Sequence, residues 1–355
     1  MSIRAKKINR LLMLATAPFA GLLVIMLLQS NQVAVPLDIE KYAPINHLSD
    51  QSQQILTHLK QAEKVAVQTS SSIERTTKLY NQTTSTMSHI VQTASSQASK
   101  PEQIYNKRIT SKLGAASEKV NSQRINIELY RLNPGTYKAY AMKIKLKEPS
   151  AMNMTLGKDS WGGAETTLTA VQRSGAIAGI NAGGFADGGG KRYPLSTTVL
   201  NGKYINGFQS TFKDLFFVGM NKTGQLIGGK FTSKANLDAL DPSFGASFVP
   251  VLIQNGKKVP IPAKWKASPL RAPRTVIGKY KDDQIIVIVA DGYNENGSSG
   301  ATLVELQNKL YKMGVVDAYN LDGGGSTSLI LNGRVINHPS DGNLRPVPTH
   351  FLFFK

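Results

Sequence analysis

Residues 282–292, DDQIIVIVADG, hold six consecutive apolar residues bounded by aspartates. That is the pattern of a strand buried on both faces. ATLVELQNKLYKMG (301–314) follows, with Leu303, Leu306 and Leu310 on one helical face and Gly314 as the stop. VVDAYNLD (315–322) is then a second strand. A helical crossover of this kind usually joins parallel strands. Asp291 and Asp322 end the two strands, so both carboxylates are expected at one sheet edge, where α/β proteins open their ligand crevices. No other stretch restricts the fold as tightly.

The flanking segments extend this pattern. GGGSTSLILNGRVIN (323–337) runs from three glycines into a hairpin whose Asn332-Gly333 suits a type I′ turn. GYNENGSSG (292–300) reads as a polar loop with Ser298 or Ser299 as helix cap. Upstream, INIELYRL and TYKAYAMKIKL alternate like strands around Asn133-Pro134-Gly135, ETTLTAVQRSG is a helix closed by Gly175, and AIAGINAGGF is a strand opening into a glycine loop. TTVLNGKYI, LFFVGMN and LIGGKFT add strands and turns. The expected fold class is α/β, or mixed α+β: a multi-stranded mixed sheet with flanking helices over residues 122–355.

Two segments precede it. Arg4, Lys6, Lys7 and Arg10 stand before an apolar run, Leu11 to Leu28, with no formal charge until Asp38. About 20 apolar residues span a bilayer, and the basic side stays cytoplasmic. Residues 1–37 therefore read as a transmembrane signal anchor, with a cleaved signal peptide as the alternative; both export the rest. Residues 38–121 are polar and rich in Gln, Ser and Thr, with a heptad seam from Leu48 to Ala94. They are expected to form a helical stalk ending at Pro101 and capable of weak self-association, with a disordered spacer as the alternative.

The chain has no cysteine, which excludes disulfides, thiolate metal sites and cysteine nucleophiles. Its formal charge is +19, and residues 122–355 carry 28 basic and 16 acidic side chains. An exported basic surface points to an anionic wall polymer or lipid head groups rather than nucleic acid.

Only His338 and His350 lie in the outer domain, and no HExxH, P-loop or zinc spacing occurs. The loop after Asp291 looks like a calcium loop, but Thr302 stands where a bidentate Glu is required. A structural divalent cation is the one cofactor this leaves open. What remains is Asp291, Asp322, Arg274 and Asn181, with glycine backbones at Gly183–Gly184 and Gly323–Gly325. Glycine runs at strand ends let amides converge on an anion, and arginine supplies a planar two-donor fork. A carboxylate stabilises or attacks an oxocarbenium-like centre. Together these parts suit a substrate bearing both a phosphate and a sugar.

INAGGF (180–185), APRTVIG (272–278), IVADG (288–292), GATLVEL (300–306) and DAYNLDGGGSTSLILNGRVINHPSDGNLRPVPTHF (317–351) resemble the phosphodiester glycosidase family, over about residues 125–355. The resemblance implies hydrolysis of the anomeric C–O bond of a sugar-1-phosphodiester. On that reading Arg274, Thr275 and the Gly323, Gly324 and Gly325 backbone hold the phosphate, and Ser326 and Thr327 add hydroxyl donors. Asp322 or Asp291 is base or nucleophile, with Glu305 a weaker acid–base candidate. Asn181, Gly183, Gly184, Asn320 and Arg345 orient sugar or phosphate. A phosphodiesterase cutting P–O, and a non-catalytic wall-polymer binding module, are the alternatives.

Overall fold

The computed structural model describes residues 3–29, 45–293 and 299–355. Its contacts divide the chain into two units, Met1–Ser95 and Ser96–Lys355.

In the first unit, helix Ile3–Gln29 carries exposed apolar side chains from Phe19 to Leu28, with Pro18 inside it. Among the described residues no helix is long and apolar enough to cross a membrane. The expected span at 11–28 therefore rests on sequence alone. A second helix, Ile45–Leu113, bears the heptad seam, and its Ile55, Leu59, Ile73, Tyr80, Met87 and Ile90 are exposed.

This helix does not stop at Pro101 as expected. A proline deprives one carbonyl of its helical partner, and here the turns beyond it are held by packing. Ile109 and Leu113 are buried, and the Tyr105 hydroxyl accepts the Lys281 amide at 3.2 Å. The helix ends at Gly114, where φ is +90°.

The expected domain start at residue 122 splits a hairpin. Strand Ala116–Asn121 pairs with Ile125–Leu132, and the compact unit begins at Ser96. Its largest sheet has eight strands in the order Ala116–Asn121, Ile125–Leu132, Ala139–Leu146, Ile285–Ala290, Arg274–Lys279, Asp317–Asn320, Val251–Gln254, Lys257–Lys258. A five-stranded sheet is ordered Leu226–Gly229, Phe216–Asn221, Pro242–Phe248, Val199–Leu200, Lys203–Tyr204. Another is ordered Arg334–Val335, Leu329–Leu331, Ala178–Asn181, Thr349–Phe353, Met152–Leu156. Phe185–Gly188 and Lys191–Pro194 form a separate hairpin.

Pairing among these strands is antiparallel, which corrects the expected mixed sheet; the architecture is α+β. The two strands that end near Asp291 and Asp322 do run the same way, but they are not neighbours. Arg274–Lys279 lies between them, antiparallel to both. The helical crossover thus skips one position in the sheet, and the intervening strand satisfies the ladders on both sides.

Ile285–Ala290 is buried on both faces, as its composition indicates. Ile285, Val287 and Val289 join Phe216, Val218, Leu329, Phe351 and Phe353 in one core. Ile286, Ile288 and Ala290 meet Leu303, Leu306 and Leu310 of helix Leu303–Met313 in the other. That helix starts from Thr302, not Ser298 or Ser299. Thr302 and Glu305 form a reciprocal capping box, Ser299 Oγ instead accepts the Tyr293 amide, and Ser298 lies outside the described residues.

Candidate active site

Three strand ends of the large sheet meet at one edge. Arg274 opens its strand opposite Ala290, the residue before Asp291. Val276 faces Asn320, two residues before Asp322. Beyond the ladder, the Leu321 amide bonds the Thr275 carbonyl at 2.8 Å and the Gly324 amide bonds the Pro273 carbonyl at 2.9 Å. The chain after Asn320 is thereby folded across the start of the arginine strand.

A second sheet reaches the same edge through Asn181, which is fully buried. Its Nδ2 donates to the Asp322 carbonyl at 2.6 Å, and its Oδ1 accepts from Thr275 Oγ1 at 2.8 Å and the Ser328 amide at 3.0 Å. The Asp322 amide donates to the Ala182 carbonyl at 3.1 Å. One asparagine thus joins the end of its own strand, the arginine strand and both limbs of the glycine turn. This geometry commits the Asn181 side chain to holding the turn in place, with Thr275 Oγ1 engaged by Asn181. Asn320 is of the same kind, since its Nδ2 donates to the Val249 carbonyl at 2.6 Å.

The glycines serve packing more than anion binding. The Gly183 amide donates to Thr349 Oγ1 at 3.1 Å, and a Cβ there would lie 2.7 Å from the Ala246 methyl. The Gly184 amide donates to the Ser247 carbonyl. In the 323–327 turn, the Gly323 amide bonds the Asp322 carboxylate at 3.1 Å, and the amides of Gly324, Ser326 and Thr327 bond carbonyls of Pro273, Gly323 and Gly324. The expected cradle of open amides is therefore largely closed by the turn itself. Gly325 has a steric reason: a Cβ there would overlap Arg345 Nη2 and Asp341 Oδ2, which form an ion pair at 2.8 Å against that turn.

The donors left for an anion are side chains. Arg274 is buried at 6% exposure, donates from Nη2 to the Pro269 carbonyl at 2.9 Å, and among the described residues has no partner at Nε. No carboxylate pairs with it among the described residues, and burial pulls its pKa down to about 10. Among the described residues Ser326 Oγ and Thr327 Oγ1 are also buried without a hydrogen-bond partner. A buried charge without a counter-ion is costly, and its chemistry suits an anion.

The two aspartates differ in surroundings. Asp291 is pushed above the usual carboxylate range by burial, opposed by the His338 amide, which donates to Oδ1 at 2.9 Å. It lines a cavity of about 560 Å³ together with Tyr137, Lys138, Tyr140 and His338. Asp322 lies across the arginine strand from it, its carboxylate turned onto the Gly323 amide.

Glu305, the weaker candidate, is occupied. Partial burial pushes its carboxyl up, but Arg271 at 2.8 Å and the Thr302 amide at 2.9 Å outweigh this and hold it below the usual range. It caps a helix and clamps Arg271, which is no proton donor's environment. Among the described residues no group of three His, Asp or Glu could hold a metal ion. Asn294, Glu295 and Asn296 of the calcium-like loop lie outside them.

Sequence reasoning missed Thr349 and Asp341, the partners of Gly183 and Arg345. Only the Asp341-Gly342 turn signal hinted at the second.

The model of the phosphodiester glycosidase family matches residues 174–354. Human N-acetylglucosamine-1-phosphodiester alpha-N-acetylglucosaminidase is 44% identical over 68 residues, covering 19% of this chain and 13% of that protein. The mouse protein of the same name is 31% identical over 137 residues, 35% of this chain and 26% of its own length. The SPbeta prophage-derived protein YomE of Bacillus subtilis (strain 168) is 27% identical over 186 residues, 52% of this chain and 28% of its own. The matched region thus spans about a quarter or less of the mammalian relatives. Among solved structures, the zebrafish N-acetylglucosamine-1-phosphodiester alpha-N-acetylglucosaminidase catalytic domain, auto-inhibited by its pro-peptide, superposes with TM-score 0.53 at 19% identity, covering 68% of this chain and 87% of that one. A hypothetical protein from Synechocystis gives TM-score 0.50 at 17% identity, covering 68% and 64%. These two likenesses establish a shared fold.

Proposed function

The chain belongs to the phosphodiester glycosidase family, and from that premise we propose that it hydrolyses the anomeric C–O bond of a sugar-1-phosphodiester, releasing free sugar and a phosphomonoester. The observation that carries this reading is Arg274, a buried guanidinium that among the described residues has no carboxylate partner, at a strand end tied through the Pro273 carbonyl to the turn that bears the unbonded hydroxyls of Ser326 and Thr327. A departing phosphomonoester is weakly basic, so it needs charge stabilisation more than a strong proton donor. Arg274 and the two hydroxyls supply that stabilisation. Asp322 then faces positive charge at C1 or attacks it, and Asp291, whose pKa burial raises, serves as base for water.

N-acetylglucosamine, named in the relatives, is the first sugar to test. The basic then apolar N-terminal segment supports membrane tethering and export of the Ser96–Lys355 unit, and the excess of positive charge supports an anionic cell-surface glycan as substrate. The full chain, incubated with a panel of sugar-1-phosphodiesters in ¹⁸O-labelled water, is expected to place the label in the sugar. Label in the phosphate would mean P–O cleavage and overturn the assignment. Retention of the protein in carbonate-washed membranes tests the tether.

A further inference from the structure

Directly after Gly183 and Gly184 the chain forms the hairpin Phe185–Gly188 and Lys191–Pro194. Its two faces are unlike. On one, Phe185 carries the Arg192 guanidinium over its ring at 4.7 Å, and Arg192 also pairs with Asp187 at 3.0 Å. On the other, Tyr193 stands opposite Ala186 and Lys191 opposite Gly188, so the large side chains face small ones. Tyr193 meets Trp161 with ring centroids 5.6 Å apart and planes at 47°. Trp161 is 37% exposed, although nothing in the core requires an indole at the surface.

This aromatic pair is fastened to the proposed site. The strand before Trp161 ends at Leu156, opposite Thr349, whose hydroxyl accepts the Gly183 amide. The Gly157 amide bonds the Pro348 carbonyl at 2.9 Å, the Leu195 amide bonds the Gly184 carbonyl at 2.8 Å, and Arg192 donates to the Pro346 carbonyl, next to Arg345. Gly162 is held close because a Cβ there would lie 2.8 Å from the Tyr193 ring. Arg345 in turn lies over Gly325 of the phosphate-side turn. These bonds tie the segments that carry the platform to the segments flanking the turn assigned to the leaving phosphate.

We propose that Trp161 and Tyr193 form a carbohydrate-stacking subsite for a pyranose ring carried on the leaving-group side of the phosphodiester. Pyranose rings present C–H bonds with partial positive charge, and these settle on the negative face of an aromatic ring. Lys191, exposed and packed against Gly162 next to Trp161, suits a glycan bearing further anionic groups. Two alternative occupants fit less well: a peptide would leave the paired rings without a matching flat apolar face, and an isolated anion has no use for them. This inference deepens the glycosidase reading and rests on it for the leaving-group assignment.

The test uses the full chain and two phosphodiesters of the same sugar, one with a methyl leaving group and one with an oligosaccharide. Trp161→Ala is expected to raise KM for the oligosaccharide ester between about threefold and tenfold, leaving kcat and the methyl ester unchanged; Trp161→Phe restores most of the loss. Equal losses on both esters, or none on either, would overturn the subsite. A second arm does not depend on hydrolysis. Trp161 and Trp265 are the only tryptophans, so a Trp265→Phe variant reports on Trp161 alone. Its emission should respond saturably to tetrasaccharides of N-acetylglucosamine or glucose, and an unresponsive emission sinks the proposal. If no phosphodiester is cleaved while the emission still saturates, the glycosidase reading fails and the carbohydrate platform stands.

Discussion

Replacing Arg274 by methionine separates the two things a buried guanidinium can do. Burial pulls its pKa from the ordinary arginine range down to about 10. The folded state therefore gives up the proton more readily than the unfolded chain. The charge costs stability at every pH below about 10, and the cost fades only as pH climbs from there toward the ordinary arginine range. At about 1.4 kcal/mol per pH unit of depression, that is on the order of 3 kcal/mol at neutral pH. Methionine removes this cost but leaves the Pro269 carbonyl without its donor, a loss of about 1–3 kcal/mol. The net change is about zero to +2 kcal/mol, so Tm should hold or rise by a few degrees. Activity behaves oppositely. Two charge-assisted hydrogen bonds to phosphate, at about 1.5–3 kcal/mol each, amount to a fall of about 10²- to 10⁴-fold in kcat/KM. Thermal unfolding by circular dichroism and steady-state kinetics read the two effects separately. Inorganic phosphate should raise Tm for the parent chain and not for the variant. A fall in Tm of more than about 10 °C would show that the guanidinium is a structural strut; preserved kcat/KM would show that it does not meet the phosphate.

Asp322→Asn should lower turnover by orders of magnitude while leaving Tm intact, because Asn181 holds the main-chain carbonyl of that residue and not its carboxylate; near-normal turnover would falsify its assignment. Thr302→Ala should cost about 1–2 kcal/mol of stability through the lost helix cap and leave kcat unchanged, which thermal melts and kinetics check together. Burial raises the Asp291 pKa, so its ionised form costs stability once pH rises through that value. Asp291→Asn should therefore melt no lower than the parent at neutral pH, and it should remove an acid limb of kcat/KM lying above the ordinary carboxylate range near ~4. A limb that survives the substitution belongs to another group. Gly325→Ala must displace the Arg345–Asp341 pair, so KM should rise; an unchanged KM would place that pair outside the substrate's reach.

The local signals that transferred from sequence to structure were those with a steric cause. Gly175 and Gly314 close their helices at φ of 64° and 83°, and Asn332 and Gly333 turn the hairpin with φ of 52° and 70°. The buried run at 285–290 is a strand enclosed by two cores, and the edge bearing both aspartates follows from it. Long-range pairing was not legible. Nothing in the crossover pattern says that residues 274–279 will occupy the gap: their hairpin with 285–290 is local, but their pairing with 317–320 is set by packing about forty residues away. The roles of polar groups were legible only in outline. Asn181, Thr275 and the glycine amides have the chemistry to hold an anion, but hydrogen bonds to chain segments distant in sequence consume most of it. Glu305 reads as an acid until Arg271 is seen beside it. Pro101 reads as a terminator until Ile109 and Leu113 are seen buried.

The antiparallel placement of the arginine strand between the two aspartate-bearing strands works like a vernier scale. Its ladder fixes Arg274 opposite Ala290 and Val276 opposite Asn320, so the spacing of cation and acids can change only in steps of a whole residue, about 3.3 Å. Gradual retuning by drift of those strands is closed to this scaffold. Members with different substrate preferences should differ in what is hung from the edge, such as the 185–194 hairpin. The Lys281–Asp283 turn at the opposite pole is where a circular permutant could be opened without disturbing the scale.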